Sequence, residues 1–285
     1  MLVIQGTYRI LGAQPDGDSI RFTPDDPQEW DLVEGPHRVH RNAHGGAQLR
    51  LDGIDSLETH FTTTGARLHQ PLGLAHAASD ALVELVGFSN VVRNPNETVT
   101  ESTPEEVPGY ILTRGADMHG RCVALASAGD PPGPSGQGTN VDVPLLKETV
   151  NYKQLETGLA YPTYYKKLFP DLRNAMTEAV AEARQAQRGV WQGDETESGA
   201  TITDVQTLED NIVILPKLFR RLADYLELNQ GDPSLAGFKA YLAQRDDRMF
   251  IISTAHSTGF DFVVEVDGQT VRLTRPPEDL VFEEG

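Results

Sequence analysis

The sequence predicts an α+β fold: a five-stranded β-barrel carrying helices, followed by a small α+β module. Three observations point there. Short apolar or alternating runs recur between residues 2 and 126, separated by Pro, Gly and Asp turns. Helix-period apolar stripes cover 71–87, 145–157 and 171–188. After the acidic stretch 193–199, helix and strand patterns start afresh, as they do past a linker. A length of 285 residues suits about two domains, read here as 1–193 and 200–285.

Taken in order, Val3, Ile4, Tyr8, Ile10 and Leu11 mark a first strand within 2–13. The turn Pro15-Asp16-Gly17-Asp18 opens an alternating second strand over 19–23. Residues 24–46 read as a loop insertion, in which Arg38 and Arg41 with His37, His40 and His44 form a locally basic patch. The third strand is 47–54. On it Gln48, Arg50 and Asp52 share one face, and Gly53 offers the bulge or strand end that swings Arg50 and Asp55 together. Leu74, Ala75, Ala78, Leu82, Leu85 and Val86, closed by Gly87, make a helix of 71–87. A fourth strand begins at 90–93, is interrupted by an acidic loop over 97–108, and resumes at 110–113; 121–126 is the fifth. Residues 128–139 are a turn-rich excursion. The helices 145–157, ended by Gly158, and 171–188 complete this part, and five strands with helices fit a barrel of the OB type.

Past 200, Ile212, Leu215, Leu218, Phe219, Leu222, Tyr225 and Leu226 form one helical face. Asp232-Pro233 reads as the start of a second helix reaching Gln244. Residues 250–252, 262–266 and 270–273 read as strands, the last two joined through Asp267-Gly268. No catalytic set is visible there, so packing or a protein partner is the expected role.

Composition narrows the function. The net charge is -18, from 42 acidic and 24 basic side chains, and residues 194–285 alone hold 18 acidic and 8 basic ones. Phosphate-backbone binding ordinarily relies on clustered Lys and Arg, so any nucleic-acid contact here is local, metal-bridged or weak. The single cysteine, Cys122, excludes an internal disulfide and a Cys-based zinc site, and its apolar neighbours mark it as a small buried hydrophobe. No run approaches the roughly 18 apolar residues of a membrane helix. The amino terminus lacks the pattern of a signal peptide, so the cytoplasm is the expected location and no membrane contact is expected.

Three motifs carry chemistry. They are Asp16-Gly17-Asp18-Ser19, then Arg50-Leu-x-Gly53-Ile-Asp55-x-x-Glu58-Thr59, then Asp117-x-x-Gly120-Arg121-x-x-Ala124. Two further segments follow, Val150-Asn151 through Gly158-Leu159-Ala160, and Gln187-Arg188-Gly189-Val190-Trp191. Each is weak alone. In this order, over about residues 1 to 193, the chain resembles the staphylococcal-nuclease (thermonuclease) family.

Hydrolysis of a phosphodiester needs an attacking water, neutralisation of charge at phosphorus and help for the leaving oxygen. The resemblance implies that Asp18 and Asp55 hold a metal, calcium first and Mg²⁺ or Mn²⁺ as alternatives, with the backbone carbonyl of Ser56 as a further oxygen. It implies Glu58 as the base and Arg50 and Arg121 as planar forks on the phosphate. Substrate contacts are expected at His119 and Tyr164. Leu57 stands where the family has proline, and Met118 and His119 replace a lysine-tyrosine pair that holds a terminal phosphate. The expectation is therefore a metal-dependent nuclease acting on DNA or RNA. The alternative is a nucleic-acid- or protein-binding module that keeps the fold and has lost useful activity.

Overall fold

The computed structural model describes residues 1–283. Five strands close a barrel in the order Leu2–Tyr8, Ser19–Pro24, Ala47–Leu51, Cys122–Ala128, Val107–Ala116. Neighbours are antiparallel except Cys122–Ala128, which runs parallel to Ala47–Leu51 with Val123 opposite Arg50. This mixed barrel with its helices is an α+β architecture consistent with the OB type. Alternation explains its core: Ile20, Phe22, Leu49, Leu51, Ile111 and Ala124 point inward and are buried. Cys122 is fully buried among them, its thiol pushed up to about 12 by burial.

The fourth barrel strand differs from expectation. It is the single ten-residue strand Val107–Ala116, while Ser89–Arg93 pairs with Val99–Thr103 in a separate ribbon. The acidic stretch was expected as loop because its Glu and Thr residues lack an apolar alternation. An exposed two-stranded ribbon needs none.

The expected third strand is broken. Ala47–Leu51 stays in the barrel, and Gly53–Asp55 leaves it to pair antiparallel with Tyr161–Tyr165. Gly53 makes the break possible. Its φ is +79°, and a Cβ there would lie 2.8 Å from Met176 Sδ. Helix Val150–Glu156 locks the break in place. Fully buried Asn151 donates to Asp52 O at 2.8 Å and Ala124 O at 3.0 Å, and accepts from Ala126 N.

Gly53–Asp55 is also the edge of a second sheet, ordered His256–Gly259, Arg248–Ile251, Leu280–Phe282, Tyr161–Tyr165, Gly53–Asp55. Strands from the two ends of the sequence therefore share one sheet. The stretch 193–199, expected as a linker, is packed. Thr196 is fully buried, its hydroxyl accepting from Leu215 N and its carbonyl from Leu273 N.

In the C-terminal part the main helix is Pro216–Leu228, with Leu218, Phe219, Leu222 and Leu226 buried. The second helix begins at Phe238 rather than Pro233, and Phe260–Val263 is one helical turn where a strand was expected. Asp267-Gly268 does join Val264–Asp267 to Thr270–Leu273. Among the described residues no helix is long and apolar enough to cross a membrane.

Candidate active site

One end of the barrel gathers the motif residues. Ser19 pairs with Arg50, and Arg50 with Val123, so Asp18, Arg50 and Arg121 emerge side by side from three adjacent strands. The Asp-Gly-Asp turn reaches the strand break because residue 17 is glycine: a Cβ there would meet Ser56 Cβ and Ala78 Cβ at 2.6 Å. Gln154 and Ser79 hold this turn, Gln154 Nε2 donating to Gly17 O at 2.9 Å and Ser79 Oγ to Pro15 O at 2.7 Å.

These residues open on a cleft of about 1000 Å³, lined by Asp18, Arg50, Glu58 and Arg121 among others. Asp55 lies directly behind it, fully buried, with Arg50 Nη2 at 3.4 Å from its Oδ1. Glu58 is fixed through Gln70, whose Oε1 accepts from Glu58 N and whose N–H donates to Glu58 O. Arg121 is aimed by Asp117, which accepts its Nε–H at 2.7 Å and its backbone N–H at 2.9 Å. Leu57 is fully buried, so the turn without proline is anchored by packing.

The two expected substrate contacts part company. His119 is exposed and lines the cleft. Tyr164 is fully buried, bonded to Thr177 Oγ1 at 2.9 Å; its neighbour Tyr165 lines the cleft instead. Alternation along the strand turns adjacent tyrosines to opposite sides, and sequence spacing alone does not say which of them faces the cleft. The basic loop sits at the rim. His37 lines the cleft, His40 N donates to Gly120 O at 2.8 Å, and Arg41 pairs with Asp31.

A residue absent from all three motifs dominates the centre. Arg220, on helix Pro216–Leu228, donates from Nη1 to Asp55 Oδ1 at 3.1 Å and from Nη2 to Asp55 Oδ2 at 2.7 Å. Its Nη1 also reaches Glu58 Oε1 at 2.5 Å. The signal available in the sequence is the spacing of Lys217, Arg220, Arg221 and Asp224, which puts them on one side of the helix, away from its apolar stripe. All four line the cleft.

The charges follow from this arrangement. Burial pushes the Asp55 carboxyl up, but the Arg220 and Arg50 guanidinium groups outweigh it and hold the pKa at about 2. Burial raises Glu58 to about 7 against the pull of Arg220. Asp18 is raised by burial and then by the charge of Asp16; Asp16 is raised by burial and then by the charge of Glu58.

Calcium takes six to eight oxygens at about 2.3–2.6 Å. Here both Asp55 oxygens and Glu58 Oε1 accept from Arg220, and Asp18 Oδ2 accepts the N–H of Ser56 at 3.2 Å. The Ser56 amide hydrogen is turned to Asp18. Among the described residues no group of three or more His, Cys, Asp or Glu side chains is placed to share a metal ion. In this arrangement Arg220 occupies the Asp55 oxygens that the expected ligand set would offer a divalent cation.

No protein-family model matches the chain, and no curated protein matches it.

Proposed function

We propose that the cleft binds and hydrolyses phosphodiesters of DNA or RNA, as the resemblance to the staphylococcal-nuclease family implies. The observation that supports this reading best is the convergence of Asp18, Arg50, Glu58 and Arg121, distant in sequence, on one cleft with Asp55 behind them. Arg50 and Arg121 present planar forks that match two phosphate oxygens. Glu58 ionises near neutrality and accepts a proton from water as the water oxygen attacks phosphorus. The P–O ester bond then breaks, and the leaving oxygen takes a proton from solvent.

The test is digestion of plasmid DNA and of RNA by the purified protein beside Arg50→Lys and Arg121→Lys. Each variant keeps its charge but loses the fork, so turnover falls by about two orders of magnitude or more while the melting temperature holds. Equal rates for wild type and both variants would refute this assignment.

One observation favours the second reading, a phosphate-binding module without useful activity. Arg220 Nη1 lies 2.5 Å from Glu58 Oε1, so half of the base is already engaged. Nucleic-acid binding without cleavage, unchanged by Glu58→Gln, identifies that case.

A further inference from the structure

We propose that Arg220 is the resident cation of this cleft: its guanidinium stands between Asp55 and Glu58 where a divalent ion would otherwise sit. Resting on the reading of the cleft as a phosphodiester site, the proposal makes that site independent of bound metal. It also gives the C-terminal part of the chain a role inside the site.

The first support is the bonding. Nη1 contacts carboxylate oxygens of two different residues, at 3.1 and 2.5 Å, and Nη2 takes the remaining oxygen of Asp55 at 2.7 Å. A cation shared by Asp55 and Glu58 would compete with Arg220 for both oxygens of Asp55. Two of the five N–H groups of an arginine remain for other acceptors, such as a phosphate oxygen.

The second support is that the helix carrying Arg220 is fixed. On its cleft side, Arg221 makes a two-point pair with Asp247 at 2.6 and 2.8 Å, and Lys217 joins the same carboxylate at 3.1 Å. On its other side Leu218, Phe219 and Leu222 are fully buried. Just before the helix, Ile214 O accepts from Gln70 Nε2 at 2.8 Å, and Gln70 is the residue that also holds the Glu58 backbone. The base and its cation are therefore positioned through one side chain. A removable plug would lack such anchors; a built-in countercharge requires them.

The third support is the charge requirement. Asp16, Asp18, Asp55 and Glu58 lie together, with Arg50 offering one contact, at 3.4 Å. Buried carboxylates this close are relieved by protonation or by a partner cation, and Asp55, which stays ionised, has Arg220 as its two-point partner. Removing Arg220 should create a vacancy with the charge and oxygens that a hard cation takes.

The experiment measures divalent-ion binding directly, apart from activity. Mn²⁺ binding by calorimetry and by electron paramagnetic resonance is compared for wild type, Arg220→Gln, Arg220→Lys and Asp55→Asn, together with Tm with and without Ca²⁺. Wild type and Arg220→Lys are expected to show no Mn²⁺ site that depends on Asp55. Arg220→Gln is expected to gain one, and saturating Ca²⁺ to raise its Tm by roughly 5 °C. If Arg220→Gln folds only when Ca²⁺ is supplied, that dependence supports the same exchange of cations. A stoichiometric Mn²⁺ site in wild type that Asp55→Asn abolishes overturns the proposal, as does an Arg220→Gln protein that folds and gains no binding. Failure of the nuclease reading is separate. Binding gained in Arg220→Gln with no cleavage by any form rejects only the hydrolysis, whereas cleavage abolished by chelator and restored by Ca²⁺ rejects only the resident cation.

Discussion

The proton on Glu58 offers a test that does not depend on knowing the substrate. Its carboxyl is raised from the ordinary 4.5 to about 7, chiefly by burial, with Asp55 and Asp18 adding to the rise and Arg220 opposing it. Below pH 4.5 the group is protonated in both folded and unfolded chains. Between 4.5 and about 7 the folded chain keeps a proton that the unfolded chain releases, so stability falls as pH rises. Above about 7 the loss is complete. At about 1.36 kcal/mol per pKa unit, the penalty amounts to roughly 3 kcal/mol. Little screening applies, because the side chain is only 14% exposed. Glu58→Gln cannot ionise, so relative to wild type it should gain roughly 3 kcal/mol between about pH 4 and pH 8. Asp16 and Asp18 shift in the same direction and remain in the variant; losing the Glu58 charge also relieves Asp16, which adds to the gain in the same direction. Asp55, held at about 2, titrates below this window. Urea unfolding at steps of pH measures the difference directly. Parallel stability curves for the two proteins, within about 0.5 kcal/mol, would refute both the burial of this carboxyl and its suitability as a base near neutrality.

Two further outcomes can be checked. Asn151→Ala leaves buried backbone groups at Asp52, Ala124 and Ala126 without their side-chain partner, which should cost about 3 kcal/mol or more in urea unfolding; a cost under about 1 kcal/mol would mean that the strand break holds itself. A chain of net charge -18 should show kcat/KM flat or rising from low to moderate salt. A shallow decline that Arg38→Ala with Arg41→Ala removes would assign the rim loop as a landing site, and a steep decline surviving in that double variant would refute both.

Much of the barrel was legible because its strands alternate and its turns use Gly, Asp and Pro. Gly53 announced the strand break, and the cleft residues Asp18, Arg50, Glu58 and Arg121 stood in recognisable motifs. What failed were features that depend on long-range partners. The strand Val99–Thr103 is polar and exposed, so no hydrophobic period marks it. Tyr164 and Tyr165 differ only in which side of the strand they occupy, which the pairing with Leu280–Phe282 and Gly53–Asp55 fixes. Asp232-Pro233 has the chemistry of a helix start, yet the helix begins at Phe238. Arg220 was invisible for the strongest reason. On an amphipathic helix a polar-face arginine ordinarily faces water, and here long-range contacts, Gln70 on Ile214 O and Asp247 on Lys217 and Arg221, turn that face toward Asp55.

That placement also resolves the apparent conflict between an acidic chain and the proposed phosphate-ester site. Exposed charges are screened over about 10 Å at 0.1 M salt, so much of the carboxylate excess on the surface weakly affects a half-buried cleft. The side chains of Arg50 and Arg220 are only 13% and 20% exposed, and their fields are screened far less. Net charge then governs how fast a polyanion arrives, through repulsion at a distance. What is held after arrival depends on the local guanidinium groups, two of them from barrel strands and one from a helix about 100 residues further along the sequence than Arg121. Supplying that last cation covalently has a physical consequence that a metal ion does not share: its occupancy is independent of ion concentration, and it is lost only if the helix undocks. Stability of the C-terminal packing and charge balance in the cleft are thus one linked equilibrium, and a substitution that loosens the helix, such as at Asp247, acts on Glu58 without touching it.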